Sequence, residues 1–213
     1  MLEINDSSTW LLLGSTAIIG FVHALAPDHW VPFVSMARAR NWSTSRLVWV
    51  TLGAGLAHVS SSILIGCIGL ILGFSLSSLE SIETHRGTVA GCLLLAFGMI
   101  YALWGFKRAK GHNHDKKTKT GSSTIWALVL VFLLGPCEPL IPLMFASAIK
   151  SWAVTVAVCL LFMVVTLLMM VIQVLLVFRG VSLFSFPNLE AHGHTIAGLV
   201  VVFTGAAVMV FSI

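Results

Sequence analysis

The sequence predicts an all-α membrane protein whose six transmembrane helices form two inverted three-helix repeats. Three observations predict this fold: an apolar composition, six long stretches with almost no charge, and a set of stretch lengths that occurs twice. Of the 213 residues, 58% are hydrophobic and only 9% are charged. A water-soluble domain of this size would aggregate with such a composition. Lipid is therefore the expected solvent for most of the chain.

Six stretches nearly free of Asp, Glu, Lys and Arg are long enough, or almost long enough, to cross a bilayer core, which takes roughly 20 helical residues. They run from Trp10 to Ala37, Leu47 to Phe74, Gly87 to Phe106, Ser122 to Ile149, Ser151 to Phe178 and Thr195 to Ile213. Backbone polar groups in hydrocarbon need partners within the protein, and the alternating pattern of a barrel strand is absent. The stretches are therefore predicted to be helices.

The distribution of basic residues predicts the orientation of the chain. Ten of the twelve Lys and Arg residues follow the first, third or fifth stretch: Arg38, Arg40, Arg46, Lys107, Arg108, Lys110, Lys116, Lys117, Lys119 and Arg179. Only Arg86 and Lys150 lie on the other side. The positive-inside rule then predicts that the protein lies in the cytoplasmic (inner) membrane with both termini on the non-cytoplasmic side. The basic residues form no patterned face, so nucleic acid is not an expected partner.

The stretch lengths predict two related halves. They are 28, 28 and 20 residues, followed by 28, 28 and 19. Residues 1–106 would form the first three-helix repeat and residues 122–213 the second, joined by a basic, His-containing cytoplasmic loop at 107–121. Because three crossings separate the start of each half from its end, the halves would have opposite orientations. Inverted repeats recur in secondary transporters, with the substrate near the middle of the membrane at interrupted helices.

A cluster of polar residues in the first stretch is the strongest functional motif. His23, Asp28 and His29 surround Pro27. On a regular helix, with about 100° per residue, the two histidines would lie roughly 120° apart and the aspartate on another side. Pro27 cannot donate a backbone hydrogen bond, and its ring opposes the carbonyl of His23. We therefore expect a local unwinding that turns the three side chains toward one another.

The residue types in this cluster favour a metal site. Imidazole with carboxylate suits divalent nickel, cobalt, zinc or manganese better than copper(I), which prefers sulfur. An ionisable residue at the centre of a transmembrane helix costs about 2.5 to 3.5 kcal/mol on insertion scales, so it is rarely present without a use. The alternative is that these residues form only hydrogen bonds between helices or lie in interfacial water.

The motif His-x-x-x-x-Asp-His in an early transmembrane helix resembles the signature of the nickel/cobalt transporter superfamily, and the whole chain is similar to its shorter NicO- and UreH-type members. The resemblance implies that His23, Asp28 and His29 recognise the metal. A second family element, a histidine followed by small hydroxyl residues in the next helix, is matched by Leu56–Ser61 and implies His58 as a fourth ligand. The small residues around His58 are also typical of close helix packing.

The segment Gly135–Pro142 predicts a second interrupted helix, because it contains three prolines and a glycine within eight residues. Non-helical backbone at membrane depth is tolerated where protein or a water-filled cavity covers it. Cys137 and Glu138 are candidates for a transient ligand and a proton-carrying carboxylate. Together with Pro27 and Pro139 they would form the transport pathway or its gate. A simple kink with a buried thiol is the alternative.

Two other transport classes remain open. The second break resembles the Pro-Cys motifs of CcdA- and DsbD-type thiol–disulfide electron carriers, but that chemistry needs two cysteines able to meet. The first stretch has the His-Asp-His cluster where the partner cysteine would be expected. An anion exporter of the TauE or SafE kind would need a basic residue facing the site, whereas the charged residues within the six stretches, Asp28 and Glu138, are acidic.

Four further histidines are candidates for capturing metal on the cytoplasmic side: His112, His114, His192 and His194. A solvated loop and a polar helix start explain them as well. The sequence as a whole predicts a secondary transporter of divalent metal ions and not an enzyme, with nickel or cobalt favoured and zinc or manganese open. No prosthetic group is expected, and the partners are the metal ion and the lipid bilayer. A homodimer is left open.

Overall fold

The computed structural model describes residues 6–110, 121–182 and 192–211, and within these ranges every regular element is a helix. The α-helices are α1 Ser7–Ala24, α2 Val31–Ala39, α3 Thr44–Leu72, α4 Leu76–Lys110, α5 Gly121–Leu134, α6 Leu140–Ala148, α7 Trp152–Ser182 and α8 Gly193–Phe211. A short 3-10 turn, Pro27–His29, lies between α1 and α2. The predicted all-helical class is confirmed.

Five of these helices, α1, α3, α4, α7 and α8, are long and apolar enough to cross a membrane. The apolar part of α5, Ile125–Leu134, is shorter. The first and fourth predicted stretches are each divided into two helices, α1 with α2 and α5 with α6. Five single helices therefore qualify as candidate spans, whereas the sequence predicts six spans. A multi-pass membrane protein is consistent with either number.

The first break lies where the proline predicts it. Pro27 cannot supply the backbone N–H that would continue α1, and the carbonyl of His23 accepts instead from Ala26 N at 3.2 Å. The 3-10 turn then closes with His29 N donating to Ala26 O at 3.1 Å. The chain enters α2 with Pro32 in its first turn, a position that needs no N–H donor.

The second break is held from outside its own helix. α5 ends at Leu134, and α6 begins after Pro139, with Leu140 N donating to Cys137 O at 3.0 Å. The side chain of Arg86 donates to the carbonyls of Leu133 at 2.9 Å and Gly135 at 3.2 Å. These are carbonyls that the end of a helix leaves without a partner. A residue of α4 therefore caps α5.

The helix α4 corrects the predicted limits of the third stretch. It begins at Leu76 and not at Gly87, so Glu83 and Arg86 lie within it. The prediction that Asp28 and Glu138 are the only charged residues within the spans was therefore wrong. Glu83 is completely buried and pairs with Arg86, whose side chain is 14% exposed. A carboxylate and a guanidinium can be buried together when they pair. In the sequence, the same two charges interrupt the apolar pattern, so the predicted stretch begins after them.

The tightest helix contact joins α4 to α8. Glycines recur every seven residues on both helices: Gly91, Gly98 and Gly105 on α4, Gly198 and Gly205 on α8. A Cβ on Gly98 would lie 2.7 Å from Val202 N, and one on Gly198 would lie 2.4 Å from Ala102 N. These neighbours are backbone atoms, so the two helices approach to a separation that only glycine allows.

Replacing Gly98 by alanine is expected to lower the thermal stability of the purified protein in detergent. The new methyl group meets backbone that cannot rotate away, and overpacking of this kind costs about 1–3 kcal/mol. The matched control is Gly53→Ala, because a Cβ there meets nothing within 4 Å. Thermal unfolding followed by circular dichroism should separate the two variants. Equal transition temperatures would contradict a backbone contact at Gly98.

Candidate metal centre

Three histidines from three separate elements converge in the protein interior. His23 lies in the last turn of α1, His29 ends the 3-10 turn, and His58 lies in the middle of α3. Each can offer a ring nitrogen such that the three atoms lie within 4.8 Å of one another. Among the described residues, this is the one group of three or more potential metal-binding side chains. The break at Pro27 makes it possible by redirecting the chain between the first two.

The three rings are arranged around one another at short range. The Nε2 atoms of His23 and His29 are 3.2 Å apart. The rings of His23 and His58 are stacked with centroids 5.9 Å apart, and His29 meets His58 edge-on at 5.0 Å. Neutral imidazole has one donor and one acceptor nitrogen. A cluster of three such rings can therefore direct three lone pairs at a shared cation.

Asp28 contacts the site through His29. Its Oδ1 atom lies 2.9 Å from His29 Nδ1. A carboxylate in this position accepts from Nδ1–H, fixes the tautomer and leaves Nε2 as the ligand atom, as is common around metal-bound histidines. The structure thus places Asp28 behind His29, and direct coordination by its carboxylate stays a prediction.

His58 shows the same division of roles between its two nitrogens. Nδ1 lies 3.3 Å from the carbonyl oxygen of Phe132, so one nitrogen is held by the backbone of α5. Nε2 is buried and has no hydrogen-bond partner. A buried polar atom without a partner costs free energy, and metal coordination is one way to satisfy it. The structure brings His58 close to His23 and His29, and its role as a ligand stays a prediction.

The second break contributes a sulfur atom. Cys137 is fully buried, and its Sγ lies 3.4 Å from His23 Nε2. The neighbouring Glu138 is partly exposed and lines a separate cavity with Thr84 and Met209. Of the two candidates that the sequence offers in this break, Cys137 contacts the histidine cluster. Pro139 lies at the start of α6 and ends the break.

The histidines near the last helix lie apart from this cluster. His194 Nδ1 is 2.8 Å from the hydroxyl of Tyr101, and its ring packs on Trp104 with centroids 5.2 Å apart. His192 is exposed at the start of α8. The other two candidates for cytoplasmic capture, His112 and His114, lie outside the described residues.

An ion pair that the sequence analysis missed supports the second break. Glu83 Oε2 accepts from Ser62 Oγ at 3.0 Å and from the backbone N–H of Cys137 at 2.9 Å. Its other oxygen accepts from Arg86, which also donates to Ser61 Oγ at 2.6 Å. The pair thus connects α4 to two other segments. One is the break between α5 and α6, and the other is the turn of α3 that follows His58. The spacing of Glu and Arg three residues apart, next to an apolar stretch, is the sequence signal that could have indicated it.

Asp28→Asn is expected to weaken metal binding by about 10- to 100-fold without abolishing it, the usual effect of changing the hydrogen-bond partner of a metal-binding histidine. Titration calorimetry with zinc or cobalt on purified protein measures the affinity. Asp6→Asn is the control, because Asp6 is exposed and pairs with Lys150 at 3.3 Å. Complete loss of binding in Asp28→Asn would instead indicate direct coordination by the carboxylate.

Comparisons of the chain with protein-family models, with curated proteins and with solved structures find no match. The case for a function therefore depends on the chemistry of the side chains. The features that carry it are three converging imidazoles, two of them buried, one nitrogen without a partner and an adjacent thiol.

Proposed function

We propose that this protein is a secondary transporter of divalent transition-metal ions, with nickel or cobalt as the favoured substrate, and that His23, His29 and His58 bind the ion. The observation that carries the proposal is the convergence of three ring nitrogens within 4.8 Å in the interior of an apolar, helical chain. Imidazole ligands suit nickel, cobalt and zinc. The resemblance to NicO- and UreH-type transporters favours the first two.

The position of the cluster supports transport over a purely structural metal. Two of the histidines, His23 and His29, lie at the break after α1, and Cys137 contacts His23 from the break between α5 and α6. Interrupted helices that face one another are where transporters with inverted repeats bind their substrates. Asp28 and His58 also line a cavity together with Phe132 and Pro136, which offers space beside the cluster.

The order and packing of the helices support an inverted repeat. A broken helix followed by two long helices occurs twice, first as α1/α2, α3 and α4 and then as α5/α6, α7 and α8. The contacts exchange in the same way: α1 packs on α7 while α5 packs on α3, and α2 packs on α8 while α6 packs on α4. A pseudo-two-fold axis requires such pairs. If each broken helix counts as one crossing, the described helices make the six crossings that this proposal requires.

Alternating access then follows from movement of one half against the other around a fixed ion. The ten-to-two distribution of basic residues supports a cytoplasmic membrane with both termini outside. The cysteine of the second break favours metal binding over thiol–disulfide exchange, because the sulfur of Cys137 contacts a ring nitrogen of His23.

The test is transport by the purified protein in liposomes that contain a metal-sensitive dye. We expect saturable entry of nickel and cobalt above the rate in protein-free liposomes, with zinc and manganese compared in parallel. Entry of zinc or manganese alone would keep the mechanism and change the substrate. If none of the four ions crosses, while thiol reduction across the bilayer depends on Cys137, the protein is a redox carrier and the proposal is wrong.

A further inference from the structure

We infer that Cys137 is a ligand to the same ion, so that the metal is held by three nitrogens from one half of the chain and one sulfur from the other. The inference depends on the proposed binding of metal by His23, His29 and His58 and adds to it a residue outside the motif on which the family resemblance depends. Its consequence is a site that is complete only when the two broken helices meet.

The interatomic distances support this ligand set. In a tetrahedral site with metal–nitrogen bonds of about 2.0–2.1 Å and a metal–sulfur bond of about 2.3 Å, two nitrogens lie about 3.4 Å apart and nitrogen and sulfur about 3.6 Å apart. His23 Nε2 is 3.2 Å from His29 Nε2 and 3.4 Å from Cys137 Sγ. Two edges of the tetrahedron are therefore already near their final lengths. Sγ of Cys137 lies outside the group of three nitrogens that are within 4.8 Å of one another, so it must move closer to at least one of the other two nitrogens when the ion binds.

An independent observation comes from His58. Its Nε2 atom is buried without a hydrogen-bond partner, while its Nδ1 is held by the carbonyl of Phe132, just before the second break. The second half therefore contacts the cluster at two points, one near the end of α5 and one in the break that follows it. Phe132 orients one histidine, and Cys137 contacts another. A fourth ligand from this segment would bind beside two contacts that already join the halves.

The backbone of Cys137 is fixed by the buried ion pair. Its N–H donates to Glu83 Oε2 at 2.9 Å, and Arg86 donates to the carbonyl of Gly135 at 3.2 Å. A metal site needs supporting residues that hold each ligand atom in position, and these hydrogen bonds do so for Cys137. Glu83 and Arg86 are positioning residues in this arrangement, since they act on the ion through Cys137.

A sulfur ligand reduces the number of divalent ions that suit the site. Thiolate favours zinc, cobalt and nickel over manganese and magnesium, which prefer oxygen. Coordination replaces the S–H bond of Cys137 with an S–metal bond and releases the proton to water, with no change of oxidation state. Loss of the sulfur should therefore weaken the binding of cobalt and zinc more than that of manganese.

The experiment is a cobalt titration of the purified full-length chain in detergent, with a phosphine reductant that keeps thiols free. Thiolate bound to Co²⁺ gives charge-transfer absorption in the near ultraviolet, and histidine ligands do not. We expect this band in the wild-type protein and in Cys159→Ser, the matched control in which another buried thiol is removed. Cys137→Ser should lack the band and bind cobalt at least about tenfold more weakly.

X-ray absorption of the zinc-loaded wild-type protein gives a second measurement that needs no variant. We expect one sulfur at about 2.3 Å with nitrogens at about 2.0–2.1 Å. Cobalt binding without the near-ultraviolet band, together with a shell of nitrogen and oxygen only, would overturn the inference and leave the proposed function intact. A wild-type protein that binds neither cobalt nor zinc would overturn both.

Discussion

His29→Ala is expected to weaken cobalt or zinc binding by more than about 100-fold, beyond the loss caused by changing a supporting residue. His29 is the central member of the cluster: Nε2 lies 3.2 Å from His23 Nε2, Nδ1 lies 2.9 Å from Asp28, and its ring meets that of His58 edge-on. The substitution therefore removes one ligand and also takes the partner from the Asp28 carboxylate.

Two measurements check this loss. Competition with a chromophoric chelator gives the affinity, and the rise in thermal stability on adding metal gives an independent readout. A ligand at 100 times its dissociation constant stabilises the folded state by about 2.7 kcal/mol, and His29→Ala should lose that shift. The control is His85→Ala, because His85 is exposed on α4 and its Nδ1 lies 2.7 Å from the carbonyl oxygen of Ser81 in the same helix. Equal metal-dependent shifts in both variants would contradict a site at His29.

The local part of the site could be predicted from sequence because a single proline determines it. Pro27 removes one backbone donor, the helix ends, and His23, Asp28 and His29 are brought together by a turn of three residues. These residues and the proline lie within a segment of seven residues. The contribution of His58 is not local, and it was predicted only through the family resemblance.

The sequence predicts where the second break lies, but it does not predict which side chain of the break faces the histidines. Three prolines indicate that the helix is interrupted near Cys137, yet irregular backbone has no fixed period that tells which of two adjacent side chains faces inward. Here Cys137 faces the histidines, and Glu138 faces another cavity. The choice depends on long-range hydrogen bonds from Glu83 and Arg86, which precede the third predicted stretch in the sequence.

The same ion pair gives the largest expected effect on stability. Arg86→Met removes the partner of a completely buried carboxylate and leaves the carbonyls of Leu133 and Gly135 without their donor. Breaking a buried pair from one side costs about 3–5 kcal/mol, because the remaining charge stays in a medium that solvates it poorly. We expect a large fall in the thermal unfolding temperature in detergent, accompanied by weaker cobalt binding as Cys137 loses its support.

The double variant Glu83→Gln/Arg86→Met separates the cost of a buried charge from the loss of the pair. A neutral amide at position 83 can still accept from the N–H of Cys137, and no isolated charge remains, so the double variant should be more stable than Arg86→Met alone. Lys150→Met is the control for removing a cation from an exposed pair, and it should change stability little. If Arg86→Met behaves like Lys150→Met, the pair does not hold the break, and the position of Cys137 must depend on packing alone.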